Sequence, residues 1–151
     1  MCIRDRAYGE TVPERLDDLL VCREVVAALD RSDVLLLDIS LGPAELRAVI
    51  DRADLVVASR FHAMISALAT ATPVVVLGWS HKYAEVLDEF GLTGLALDHT
   101  SRPAEELAQA ILDALARSDD IARTIEERLG AVTASARHNI DVIVEELEAA
   151  R

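Results

Sequence analysis

The stretch 54-DLVVASRFHAMISALATATPVVVLGWSHK-82 places two short apolar runs, "DLVVAS" (54–59) and "PVVVLG" (73–78), on either side of a helical segment of small residues. Aliphatic runs of strand length separated by a helix are typical of a parallel sheet covered on both faces. The same stretch contains Arg60 and His62 in otherwise apolar surroundings. Burial of a cation is unfavourable unless it is paired, hydrated or used for a ligand, so these two residues need an explanation.

The strand and helix alternation extends in both directions from this stretch. Besides a helix at 60–71, the predicted helices lie at 11–31, 42–53, 82–91 and 103–117 and from Ser118 onward, and the other predicted strands lie at 33–39 and 94–98. The first of these helices has the spacing of a capping box, from Thr11 to Glu14. The pattern predicts an α/β fold: a Rossmann-like parallel sheet with helices on both faces, ending in a long helix.

The last helix has a continuous apolar stripe. Apolar residues recur there at steps of three and four, namely Ile121, Ile125, Leu129, Val132, Ala136, Ile140 and Ile143. This spacing predicts one apolar face that needs a surface to pack on.

Composition limits the possible functions. The 151 residues suffice for one domain, and the formal net charge of −12 argues against nucleic acid as a partner. No apolar run is long enough for a transmembrane segment. The two cysteines, Cys2 and Cys22, match no metal-ligand spacing. A cytoplasmic, reducing setting is therefore expected. Residues 1–10 lack periodicity and are interpreted as a non-native or truncated start to a domain at 11–151.

The cationic residues of the central stretch are the candidate site. Ligands of open α/β sheets bind beyond the carboxyl ends of the strands. With Ser59 as the N-cap, Arg60 and His62 occupy the first helical turn, where backbone N–H groups and the helix dipole favour an anion. The loop "GWSHK" is expected to bring His81 and Lys82 to the same edge. The sequence therefore predicts a site for a small polyanion, with chemistry unspecified.

Each candidate also has an ordinary structural interpretation. Arg60 can be a solvated or salt-bridged surface residue, and His62 can be a core histidine bonded to a backbone carbonyl. His99 and His138 are expected to lie away from this edge. Surface or packing roles are the simpler interpretation for the other candidates, namely Lys82, His81 and Trp79.

Taken together, these residues resemble the C-terminal motif region of the polysaccharide pyruvyl transferase family. Its members have an Arg, an apolar residue and a His after an apolar strand, then a strand that begins with Pro, then an aromatic residue three positions before a Lys. Here these are Arg60, Phe61 and His62, then Pro73, then Trp79 and Lys82. The similarity in element order extends from Thr11 to the end, and Trp79 stands where Tyr is usual.

The resemblance implies a GT-B-like enzyme with two Rossmann-like domains, of which this chain would be the C-terminal one and the missing N-terminal domain a partner. The implied reaction moves pyruvate from phosphoenolpyruvate onto a saccharide acceptor as a ketal, in exopolysaccharide biosynthesis. Arg60 and His62 would bind the donor, His62 would transfer a proton as the catalytic residue, and Lys82 would balance charge on the departing phosphate. No cofactor and no metal site are expected.

Two other functions fit the same pattern. A GT-B glycosyltransferase domain with a nucleotide-sugar donor would share the strand and helix alternation and an anion site. A non-catalytic α/β interaction module would make Arg60 and His62 ordinary structural residues and would use the apolar stripe of the last helix as its partner surface.

Overall fold

A computed structural model of the chain describes residues 2–3, 18–78 and 80–149. Its contacts form two compact units, Met1–Gly42 and Pro43–Arg151. The first unit contains β1 (Cys2–Ile3), α1 (Asp18–Leu29) and β2 (Leu36–Leu37). The two strands pair in parallel, and α1 contacts both.

Helix α1 ends at Leu29, two residues before the end of the helix predicted at 11–31. Asp30 follows it with a φ of 44°, a left-handed conformation that Asp tolerates better than most residues. The predicted strand at 33–39 is reduced to two residues. The capping box at Thr11 and Glu14 lies outside the described residues.

The second unit contains the alternation that the central stretch predicts. Its elements are α2 (Pro43–Ile50), β3 (Val56–Ala58), α3 (Phe61–Ala69), β4 (Val74–Leu77), α4 (His81–Glu89), a 3-10 turn (Thr93–Leu95), β5 (Ala96–Leu97), α5 (Ala104–Ala116) and α6 (Ser118–Ala149). The three strands form a parallel sheet in the order β3-β4-β5. The predicted α/β class, the parallel pairing and the long final helix are confirmed.

Strand β4 is the centre of the core. Val74, Val75 and Val76 are all fully buried. Successive side chains of a strand point to opposite faces, so both faces of the sheet are covered at β4. Coverage is less complete at β3, where Val57, in register with Val75, is 46% exposed.

Helix α3 joins β3 to β4 and packs on both strands. Its inward residues, Met64, Ala67 and Leu68, are buried. The core also admits one polar side chain, Thr72, whose hydroxyl donates a hydrogen bond to the Ile50 carbonyl at 3.4 Å. These contacts hold α3, and therefore its first turn, in a fixed position.

Helix α4 ends at Glu89, just before Gly91, the residue predicted to terminate it. Gly91 has a φ of 69°, and its N–H donates to the Asp88 carbonyl at 2.8 Å. From α6, the Arg128 guanidinium donates to the Glu89 carbonyl at 3.4 Å. A cation at the C-terminal end of a helix is favoured by the helix dipole, so this contact links α6 to the end of α4.

The apolar stripe of α6 packs over only part of its length. Ile121 and Ile125 are buried in the core, and Leu129 and Val132 pack against it. Every described residue from 133 to the end of the helix is exposed. The predicted apolar face is therefore confirmed as a packing surface for the first half of the helix and is exposed in the second half.

Two isoleucines of α6 test this division. We expect Ile125→Ala to lower the free energy of unfolding by about 2–5 kcal/mol, because it leaves a cavity in a fully buried site. Ile143, 58% exposed on the same helix, is the matched control, and Ile143→Ala should change it by less than about 0.5 kcal/mol. Urea denaturation measures both values. A comparable loss in the two variants would show that the distal half of α6 is also packed.

Candidate functional site

The three parallel strands of the second unit end at one edge of the sheet. Val56 pairs with Val74, and Val76 pairs with Ala96. Counted on from this register, Arg60, Gly78 and Asp98 follow their strands at the same level, with neighbouring strands about 4.8 Å apart. The edge at which ligands of such sheets bind is therefore formed by the segments after β3, β4 and β5.

The segment after β3 begins helix α3 one residue later than predicted. Arg60 itself is the N-cap, with an extended backbone (φ −112°, ψ 136°), and its carbonyl accepts the first helical hydrogen bond from the Met64 N–H at 3.2 Å. The prediction of Ser59 as N-cap is wrong, because Arg60 itself still has an extended backbone and the helix begins at Phe61. The Arg60 side chain does not cap the helix. His62 is then the second helical residue, in the turn whose N–H groups have no helical partner.

The side chains of Arg60 and His62 are exposed. Neither side chain therefore carries the cost of burial in the apolar core, and the interpretation of His62 as a core histidine is wrong. None of the ion pairs among residues 18–78 and 80–149 involves His62, His81 or Lys82.

The segment after β4 begins helix α4 in the same way. Ser80 is the N-cap, with an extended backbone and no capping hydrogen bond from its hydroxyl, and His81 and Lys82 are the first helical residues. Both are exposed, as they are in the surface interpretation. Lys82 is the only lysine of the sequence. The neighbouring Trp79 lies outside the described residues.

The charges in these two helical turns differ from those of other helices in the second unit. The first turns of α2, α5 and α6 contain acidic residues, which complement the helix dipole: Glu45, Glu105, Glu106, Asp119 and Asp120. The first turns of α3 and α4 contain none. Two neighbouring helix starts therefore combine uncompensated dipoles with cationic side chains, an arrangement that suits a bound anion.

Tyr83, which the sequence did not single out, connects the two segments. Its hydroxyl donates to the Ser59 carbonyl oxygen at 3.3 Å. Its ring lies 6.1 Å from that of Phe61, which in turn makes an edge contact with the His62 ring at 6.1 Å. Gly78 leaves room for Tyr83, since a Cβ at Gly78 would lie 2.5 Å from the tyrosine ring. A glycine directly after a buried strand is the sequence feature that signals such a close approach.

The segment after β5 adds residues that were expected elsewhere. His99 follows β5 by two positions and so lies at this edge, which corrects its placement away from it. That prediction failed because it did not include the pairing of β5 with β4, a contact between residues distant in sequence. His138 is exposed on α6, outside these three segments.

Asp98 folds its segment into a tight local turn. Its Oδ1 accepts hydrogen bonds from the Thr100 hydroxyl at 2.7 Å and the Thr100 backbone N–H at 2.9 Å. These bonds, the hydroxyl one first, and the nearby His99 charge lower the pKa of the Asp98 carboxyl below its usual value. The one acidic residue directly at the sheet edge is thus engaged with its own loop.

Comparison with known families decides what kind of protein has this edge. A family model described as "Polysaccharide pyruvyl transferase" matches residues 3–81, just over half of the chain. The chain belongs to the polysaccharide pyruvyl transferase family. The resemblance seen in the sequence is thereby confirmed, and the matched part contains Arg60 and His62 and ends one residue before Lys82.

This polysaccharide pyruvyl transferase family member has no match among curated proteins or solved structures. Within the described part of the chain, none of the helices has the length and apolar character needed to cross a membrane.

The Asp98 turn makes a prediction about pH. Thr100→Val should raise the pKa of Asp98 toward its usual value, because it removes the hydroxyl donor, and Thr100→Ser should leave it low. Since the folded-state pKa is the lower one, this interaction favours the fold above about pH 4 and is lost as the pH falls through the folded-state pKa. An NMR titration of the Asp98 carboxyl carbon measures the effect. Equal pKa values in the two variants would contradict it.

Proposed function

We propose that this chain is the C-terminal part of an enzyme that transfers pyruvate from phosphoenolpyruvate onto a sugar of a cell-surface polysaccharide as a ketal. Family membership supports the transferase class and the saccharide acceptor. The observation that supports the donor is the pair of adjacent helix starts, α3 and α4, which present cations where other helices of the unit present acids. Phosphoenolpyruvate has two anionic groups, a phosphate and a carboxylate, that such an edge suits.

Arg60 and Lys82 suit different parts of this donor. The planar guanidinium of Arg60 binds a carboxylate or phosphate through two parallel hydrogen bonds. Lys82 is a compact point charge, suited to phosphate oxygens whose negative charge increases as the phosphate departs. The backbone N–H groups of the first turn of α3, which have no partner within the helix, are further hydrogen-bond donors for the anion. In a chain with a net charge of −12, this local positive charge also attracts the donor.

The transfer requires one proton to be delivered and two to be removed. A proton added to the methylene carbon of phosphoenolpyruvate makes C2 electrophilic, and a sugar hydroxyl attacks C2 and loses its proton. A second hydroxyl then forms the other C–O bond as the C2–O bond to phosphate breaks, and its proton leaves with the phosphate. His62, exposed at the edge, is the group proposed to transfer a proton, because an imidazole can both accept and donate a proton.

The proposal also includes the partners and the compartment. A missing N-terminal domain would form the other wall of the cleft and contribute to acceptor binding, as in a GT-B enzyme. The cytoplasm is the proposed setting because phosphoenolpyruvate is a cytoplasmic metabolite. The disulfide at Cys22 does not support this setting, since disulfides are typical of oxidising compartments.

Thermal unfolding with phosphoenolpyruvate tests the donor site. A ligand at a hundredfold excess over its dissociation constant should stabilise the chain by about 2.7 kcal/mol. We expect Arg60→Ala, His62→Ala and Lys82→Ala each to reduce this stabilisation. Arg52→Ala is the matched control, because Arg52 is an exposed arginine before β3, at the opposite edge of the sheet.

Three results would count against the proposal. Stabilisation equal in Arg60→Ala and Arg52→Ala would place the donor elsewhere. Stabilisation by a nucleoside diphosphate but not by phosphoenolpyruvate would indicate a glycosyltransferase domain. The absence of any effect from either anion would favour a non-catalytic module.

A further inference from the structure

Tyr83 contacts both segments that contribute cations to the proposed donor site. It is the third residue of α4, directly after Lys82, and its side chain extends back across the edge of the sheet. The hydroxyl reaches the carbonyl oxygen of Ser59, at the end of β3, while the ring covers Gly78, at the end of β4. One side chain thus spans the gap between two neighbouring strands.

The hydrogen bond acts on the position of Arg60. The Ser59 carbonyl belongs to the planar peptide group that includes the Arg60 nitrogen, so fixing this oxygen limits rotation of that plane. Arg60 is the N-cap. Its carbonyl accepts the first helical hydrogen bond, but its backbone is extended and it precedes the helix. The bond from Tyr83 supplies a restraint at the point where the strand ends and the helix has not yet begun.

The ring contacts act on the residues that follow. Phe61 packs at 6.1 Å from the Tyr83 ring and at 6.1 Å from the His62 ring. Displacement of the Tyr83 ring would therefore shift the Phe61 ring and, through it, the His62 ring. The position of the tyrosine ring depends in turn on Gly78, where a Cβ would lie 2.5 and 2.6 Å from two ring carbons.

We propose that Tyr83 is a positioning residue that holds the segment with Arg60 and His62 against the segment with Lys82, so that these side chains face one bound anion. Tyr83 itself does not contact the reacting atoms in this role. The inference rests on the proposed donor site, and it adds a residue beyond the part of the chain that matches the family.

Calorimetric titration of the chain with phosphoenolpyruvate, at a temperature where every variant is folded, tests this role. Tyr83→Phe keeps the ring and removes only the hydroxyl, and we expect it to weaken binding about three- to tenfold, the effect of one lost hydrogen bond. Val86→Ala is the control, since Val86 is a partly buried core residue of the same helix. It should lower the melting temperature without changing the affinity.

The contact with Gly78 gives a second, independent test. Gly78→Ala should displace the ring and weaken phosphoenolpyruvate binding at least as much as Tyr83→Phe does. If the alanine acts through the ring, it should have little further effect in a Tyr83→Ala background, so the two changes should be non-additive. Additive losses would overturn a role for Gly78 in placing Tyr83.

Hydrogen exchange separates failure of this inference from failure of the proposed function. Tyr83→Phe should raise the exchange rates of the Arg60, Phe61 and His62 amides whether or not phosphoenolpyruvate is present. Unchanged affinity in Tyr83→Phe, with normal binding by the unmodified chain, would overturn the positioning role and leave the proposed function intact. If the unmodified chain does not bind phosphoenolpyruvate, the proposed function fails, and unchanged exchange rates would then overturn the positioning role as well.

Discussion

The parallel pairing of β4 with both of its neighbours is the constraint on which the rest of the second unit depends. Three consecutive valines of β4 are fully buried, so this strand can occupy only the centre of the sheet. Because β3 and β5 pair with it in the same direction, the chain leaves all three strands at one edge. Helices α3 and α4 must then begin side by side, and the residues at their starts become neighbours although about twenty positions separate them in sequence.

The charges at this edge are unfavourable for stability alone. Cations near a helix N-terminus oppose the dipole by a few tenths of a kcal/mol to about 1 kcal/mol each, and the first turns of α2, α5 and α6 contain acidic residues that complement the dipole instead. A bound phosphate or carboxylate reverses the sign of this effect, because it interacts favourably with the dipole and with the cations together. The same edge is exposed, so a ligand can reach it from solvent. The proposed donor would therefore account for a pattern that folding alone does not require.

The sequence predicted features that depend on local pattern and missed those that depend on contacts between distant residues. The apolar run "PVVVLG" predicted a strand, and Gly91 predicted the end of a helix, because each has a signature within a few residues. Local preference placed the N-cap at Ser59, whereas the structure has Arg60 there, with the helix beginning one residue later than predicted. His99 and Tyr83 were missed because their importance comes from strand pairing and from a ring packed over a glycine.

The central claim is that phosphoenolpyruvate binds at the edge formed by the starts of α3 and α4. Lys82 allows a direct test, because it is the only lysine of the chain and is exposed. The measurement is the rate at which an amine-reactive reagent modifies Lys82, followed by mass spectrometry with and without phosphoenolpyruvate, with the N-terminal amine as internal reference. Phosphoenolpyruvate bound at this edge should slow modification of Lys82 and leave the reference rate unchanged. Equal protection of both amines, or of neither, would contradict it.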